Sequence, residues 1–188
     1  MNPTYMILVY LVWFLSMYFV VFLILAILTN KNKIFENPNL KVGSNFPHVS
    51  FVISAYNEEK KIGDTIESLQ RVDYPNLEFI IVNDGSTDET GKIVSNYLAD
   101  KRIAFVDNKI NRGKAVCLNQ GIRLAKGEFV ATMDADSIIS ADTVRKTLPY
   151  FEDGKVGAVT VSVEVRNPKT VMDKIIEMEY MLGLSLFL

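Results

Sequence analysis

At 188 residues the chain has room for one domain of ordinary size and an appendage. A formal net charge of −2 and a pI near 5.5 exclude the basic footprint of a nucleic-acid-binding protein. The single cysteine, Cys117, excludes an intramolecular disulfide, and its place in an apolar helical pattern suits a small core residue better than a nucleophile.

Apolar residues make up 49% of the chain but are unevenly spread. Met6 to Leu28 carries no charge, and at about 1.5 Å per residue it can cross a hydrocarbon core of about 30 Å. The run is longer than a signal-peptide core, lacks a basic flank before it and shows no small-residue cleavage site before Asn30. Residues 1–30 therefore read as a retained transmembrane helix. No Lys or Arg precedes it, whereas Lys31, Lys33 and Lys41 follow, which predicts an outside amino terminus and a cytoplasmic remainder. Residues 31–47, with Asn, Lys, Pro, Gly and Ser and little periodicity, read as a linker. His48 stands alone at the mouth of a strand and reads as structural.

From Val49 the pattern alternates strand with helix. Val49 to Ala55 is a buried strand, Glu58 to Gln70 is helical through Ile62, Ile66 and Leu69, and Leu77 to Val82 is a second strand. Ile93 to Leu98 lies in a second helix, Ile103 to Val106 is a short strand, and a third helix runs from about Gly113 to Ala125. Within Glu128 to Ser137 an apolar run from Phe129, read as a buried strand, ends in two acids one residue apart, Asp134 and Asp136. This order predicts an α/β fold with a mostly parallel sheet and helices on both faces.

In such sheets ligands sit beyond the carboxyl ends of the strands. Here those ends are Ala55-Tyr56-Asn57-Glu58-Glu59, Asn83-Asp84-Gly85-Ser86-Thr87-Asp88 and Asp134-Ala135-Asp136, while the third strand leads into Asn111-Arg112-Gly113-Lys114. If extended geometry persists through Asp136, Asp134 and Asp136 point the same way and can address one hard cation such as Mg2+ or Mn2+. Acids for a metal and sugar hydroxyls, with bases and turn amides for phosphate, compose a nucleoside-diphosphate site. Ser86 or Thr87 is also expected to cap the following helix, and Glu58 and Glu59 to favour the positive end of theirs.

Taken as a set, Val52 to Glu59, Val82 to Asp88, Arg112-Gly113-Lys114-Ala115 with Leu118-Asn119, and Met133 to Ser137 resemble the successive motifs of family 2 glycosyltransferases. The likeness covers roughly residues 48–165 and extends to the donor-binding half of membrane polysaccharide synthases. It implies a GT-A, Rossmann-like sheet over residues 48–168, a nucleotide-sugar donor with UDP favoured, a divalent metal, inversion at the anomeric carbon, and a polysaccharide or lipid-linked acceptor. By position it implies that Ala55, Tyr56 and Glu58 line the nucleoside pocket and that Asp84 bonds the base. Gly113 and Lys114 would lie by the diphosphate, Asp134 would face ribose or metal, and Asp136 would be the direct metal ligand.

The chain departs from the pattern at Asn83, where many relatives carry a second Asp, and at Val161, where many membrane synthases carry Gly. No general base for the acceptor hydroxyl is evident after Asp136; Asp142, Glu152, Asp153 and Glu164 read as helix and surface charges. The chain is thus expected to be a donor-binding half that transfers sugar weakly or not at all by itself. Residues 169–188 start as an amphipathic helix and become apolar from Met178, suiting either a core or dimer face, with a second copy or a partner subunit, or an interfacial membrane helix. A nucleotide-binding scaffold and a nucleotidyltransferase are the alternatives, the second disfavoured because Tyr56-Asn57-Glu58-Glu59 replaces a Gly-rich basic loop.

Overall fold

The computed structural model describes residues 3–35, 46–161, 170 and 172–176. The chain divides into two units, Met1–Asn39 with Thr160–Leu188, and Leu40–Val159.

In the first unit α1 spans Pro3–Phe35, and its stretch Pro3–Leu25 has a mean hydropathy of 2.6 with none of that stretch buried. It is long and apolar enough to cross a membrane. The helix continues through Lys31–Phe35, so the expected linker is helical over its first five residues, and 36–45 lie outside the described residues. Lys31 and Lys33 are good helix formers, and no Gly or Pro falls within Lys31–Phe35. Near the other end, residues 172–176 are helical. Thr170 Oγ1 accepts the Asp173 N–H at 3.1 Å while Asp173 Oδ2 accepts the Thr170 N–H at 2.8 Å, a reciprocal cap at the start of this helix. Residues 177–188 and Glu164 lie outside the described residues.

The second unit is a four-stranded parallel sheet with strand order β3-β2-β1-β4, formed by β1 (Val49–Ala55), β2 (Leu77–Asp84), β3 (Ile103–Asn108) and β4 (Phe129–Asp134). The two central strands are apolar on both faces because helices cover both. Ile53, Phe79 and Ile81 pack under α2 (Ile62–Gln70) and α3 (Thr90–Ser95), with Ile62, Ile66, Leu69 and Val94 supplied by the helices. On the other face Val52, Ile80 and Val82 meet Cys117 of α4 (Lys114–Leu124). Burying each of these aliphatic side chains contributes about 1.5–3 kcal/mol. Gly121 lets α4 come that close, since a Cβ there would stand 2.3 Å from Val52 Cγ1.

Several elements differ from the periodicity reading. β4 is half-exposed rather than buried: it is an edge strand, with Ala131 and Met133 against the core and Val130 at 45% exposure on the opposite face. The first globular helix begins at Ile62, because the Lys61 and Ile62 amides both close on the Glu58 carbonyl, at 3.0 and 2.9 Å, and make a turn first. α3 is earlier than Ile93–Leu98, since bonds such as Tyr97 N–H to Val94 O, 3.0 Å, tighten the chain into turns. β2 and β3 run to Asp84 and Asn108, two residues further than their apolar patterns, because Asn83–Asp107 and Asp84–Asn108 still pair across the sheet.

After β4 the chain turns back along α2. Thr65 Oγ1 donates to Ala135 O at 2.8 Å, the Ile139 N–H to Ser68 Oγ at 3.2 Å, and the Asp73 N–H to Ala141 O at 2.8 Å. α5 (Thr143–Thr147) follows, and its Arg145 pairs with Asp73 at 3.0 Å.

Candidate functional site

Alternation along the strands decides which side chains reach the carboxyl edge on the α4 face. Val52 and Ser54 of β1, Val82 and Asp84 of β2, and Thr132 and Asp134 of β4 share that face, and Ser54 pairs directly with Asp134. α4 starts at the same edge, so Asn111, Gly113 and Lys114 complete a cleft of about 340 Å³ with Tyr56, Glu58 and Asp136. Asp84, Lys114, Asp134 and Asp136, from two strand ends, a turn and a helix start, therefore face one space.

Asp84 is 2% exposed and organises the turn before α4. Its two oxygens accept the Arg112 and Gly113 amides at 2.8 and 2.9 Å. Burial by itself would raise its pKa, but these amides, the Cys117 thiol and the Arg112 charge outweigh it and hold the carboxyl below the usual range. The same burial, with Asp84 beside it, pushes the Cys117 thiol up to about 11, consistent with an inert core residue. Asp84 was expected to bond the base; it lines the cleft, and its amide bonds leave further lone pairs for a ligand. Close approach of the β2–α3 loop requires Gly85, where φ is +67° and a Cβ would meet Asn111 N and Ile110 C at 2.7 Å.

The acid pair reaches the cleft by a route other than strand alternation. Extended geometry stops at Asp134, and the Ser137 N–H bonds back to its carbonyl at 3.2 Å, so Ala135 and Asp136 form a turn. Ala135 is buried and clamped by Thr65, which leaves the carboxylates on either side of it free to face the cleft. Asp134 pairs with Lys114, and Asp136 with Lys61 at 3.3 Å.

Ala55 is a correction: it is fully buried in the core beneath α2, and Ser54, one residue earlier and on the opposite face, lines the cleft instead. Ser86 and Thr87 do not cap α3. Ser86 Oγ accepts the Asn57 N–H and donates to Asn83 Oδ1, the Thr87 N–H donates to Asn57 Oδ1 at 2.9 Å, and Asp88 receives the Thr90 N–H at 3.0 Å. These bonds join the first two loops and hold Asn57 at a φ of 55°. Glu58 and Glu59 belong to the same stitching through their amides, to Thr90 Oγ1 at 2.8 Å and Asp88 Oδ2 at 3.1 Å. Asn83 faces away from the cleft, donating to Asp107 Oδ1 at 2.7 Å, so its departure from the family pattern bears on the packing of β2 against β3.

Ser54 and Lys61 escaped the sequence reading, whereas Asn111 lies in a segment already placed at this rim. Ser54 was legible from the strand period, whereas Lys61 meets Asp136 across 75 residues with no local signal. Among the carboxylates after Asp136, Asp142 pairs with Lys146 at 2.6 Å, and Glu152 and Asp153 are exposed, as surface charges should be. His48 gives its carbonyl to the Phe129 amide, a structural part.

Among the described residues no group of three or more His, Cys, Asp or Glu could hold a metal by itself. Two carboxylates at one cleft nevertheless fit a small hard cation, which keeps waters and takes its remaining oxygens from a substrate's phosphates.

The family model described as Glycosyl transferase family 2 matches residues 50–183. The poly-beta-1,6-N-acetyl-D-glucosamine synthase of Staphylococcus epidermidis is 39% identical over 133 residues, which cover 70% of this chain and 32% of that protein. Its counterpart from Staphylococcus aureus is 35% identical over 170 residues, covering 89% of this chain and 41% of that protein. Among solved structures, the mannosyltransferase PcManGT from Pyrobaculum calidifontis in complex with GDP-Man and Mn2+ superposes with a TM-score of 0.63 at 28% identity, over 77% of this chain and 43% of that one. S. aureus TarS 1–349 in complex with UDP-GlcNAc gives 0.54 at 25% identity, over 64% and 38%. The chain thus spans 32% to 41% of the length of the curated relatives it matches.

Proposed function

The chain belongs to glycosyl transferase family 2, and from that premise we propose that its globular unit binds a nucleoside diphosphate sugar, with a UDP-sugar favoured, for metal-dependent, inverting transfer to a polysaccharide or lipid-linked acceptor. The observation that carries this reading is the meeting of Asp84, Lys114, Asp134 and Asp136 around one cleft at the carboxyl edge of a parallel sheet.

Each residue has a physical task in it. Tyr56, 46% exposed at the rim, offers a ring face to the nucleoside, and Glu58 stands beside it for hydroxyls. Asp84 holds the turn that presents the first amides of α4, whose positive end suits a phosphate. Lys114 faces the diphosphate, and Asp134 and Asp136 are the oxygen ligands for Mg2+ or Mn2+. When bound, that cation neutralises charge developing on the diphosphate as the sugar leaves. Lys114 adds to the same stabilisation, strongest where the leaving group carries most charge. α1 serves as the membrane anchor, with its amino terminus outside and the globular unit in the cytoplasm, where a nucleotide sugar is at hand.

The relatives support UDP-N-acetylglucosamine as the first donor to test, and GDP-mannose as the second. Calorimetric titration of the chain with both, and with UDP-glucose, in the presence and absence of Mn2+, tests the reading. Metal-dependent binding that is lost in Asp136→Ala is expected. Binding of no nucleotide under any metal condition contradicts it.

A further inference from the structure

Lys61 sits outside the motifs that mark this family in the sequence, yet its Nζ lies 3.3 Å from Oδ2 of Asp136. Both ends of this contact are held by the fold. The Glu58–Lys61 turn closes on the Glu58 carbonyl at 3.0 Å and aims the lysine stem, and the bond from Thr65 to Ala135 O sets the turn that carries Asp136. Lys114 pairs with Asp134 in the same way, so each acid of the pair faces one ammonium. Lys61 and Asp136 are 59% and 43% exposed, which makes the pair weak, exchangeable and open to competitors.

We propose that Lys61 is the exchangeable counter-ion of Asp136, competing with a divalent cation for this carboxylate until a nucleoside diphosphate draws the lysine to its own oxygens. The proposal rests on the reading of Asp136 as a metal ligand. A bare cation entering the cleft must displace the Lys61 ammonium and then sit beside it, a like-charge contact that weakens binding. A diphosphate brings several negative charges, gives the ammonium a stronger acceptor and frees Asp136. Cation and nucleotide consequently favour each other, and by linkage each tightens the other by the same factor. Lys61 acts on the metal through Asp136 while the site is empty and contacts the diphosphate once it is filled, which makes the filled site depend on both ligands arriving.

The test is Mn2+ binding to the full chain in detergent micelles, followed by the electron-spin-resonance signal of free Mn2+, with and without saturating UDP. The proteins are the parent chain, Lys61→Gln, Lys61→Arg and, as a control for general charge, Lys60→Gln at the adjacent exposed lysine. Lys61→Gln is expected to bind Mn2+ alone about 2–5-fold more tightly, the range set by an exposed ion pair. With UDP present it binds no more tightly than the parent, so the coupling factor falls by at least as much. Lys61→Arg keeps the parent behaviour, and Lys60→Gln matches the parent in both states. Mn2+ affinity in Lys61→Gln equal to or below the parent's, or an equal gain in Lys60→Gln, overturns the role of Lys61. A parent chain that binds UDP with no dependence on Mn2+ overturns the metal reading itself, and this is seen without any variant.

Discussion

Replacing Asp84 with Asn tests whether one buried carboxylate builds the phosphate-facing turn. Asp84 is 2% exposed and receives two amide hydrogens, from Arg112 at 2.8 Å and Gly113 at 2.9 Å. Asn has nearly the same shape but only one acceptor, so whichever way its amide is turned, one backbone N–H meets another N–H. A hydrogen bond to a charged group is worth about 1.5–3 kcal/mol, and a buried donor left unpaired costs about 1–3 kcal/mol. A loss of about 2 kcal/mol in the local stability of the turn is therefore expected, close to a 30-fold change in its opening equilibrium at about 1.4 kcal/mol per tenfold. Hydrogen exchange of a peptide covering residues 110–114 reads that opening directly. Asp84→Asn should speed exchange at Arg112 and Gly113 about 30-fold while leaving β1 and β2 protected. Unchanged protection of those two amides would refute the claim that Asp84 holds the turn.

Other outcomes follow from the same contacts. Asn83→Asp would set a carboxylate against Asp107 in place of the 2.7 Å donor bond, raising the pKa of one of them. Since a raised carboxyl pKa penalises folding above the unfolded value, the variant should match the parent below about pH 4 and lose about 1–3 kcal/mol as the pH rises toward 7, measured by denaturant titration. The Asp100 carboxyl is held down to about 2, chiefly by hydrogen bonds from the Arg102 guanidinium. A depressed carboxyl pKa contributes above the unfolded value near 4 and fades as pH falls from there through about 2. Asp100→Asn should cost about 1–2 kcal/mol at pH 7, allowing for screening at the partly exposed Arg102, and should flatten acid unfolding over that window. Gly121→Val would drive a side chain into Val52, where even a Cβ stands at 2.3 Å, and should lower stability by about 1–3 kcal/mol in the same assay.

The parallel sheet was legible because burial on both faces writes continuous apolar runs, such as Phe79-Ile80-Ile81-Val82, between polar strand ends. Those ends gather at one edge by topology alone, which is why Asp84, Lys114, Asp134 and Asp136 were recognised together. What periodicity cannot carry is contact between loops. Asn57 reaches Thr87 across 30 residues, Thr65 reaches Ala135 across 70, and Lys61 reaches Asp136 across 75. The first decides what Ser86 and Thr87 do, the second ends the extended run at Asp134, and the third adds a residue to the site. Ala55 was misplaced by motif position, although its neighbour Ser54 stood on the correct face by strand period. β4 was misread as buried because Phe129, Ala131 and Met133 on its covered face and Val130 on the other write a short apolar run although only one face is packed.

The most direct measurement for the donor-site account is the phosphorus hyperfine coupling of Mn2+ bound to the full chain together with UDP. With Asp136 holding the metal against the diphosphate, a coupling that reports phosphate oxygen on the metal is expected, and it disappears in Asp136→Ala. Bound Mn2+ without phosphorus coupling, or the same coupling in the variant, would contradict it.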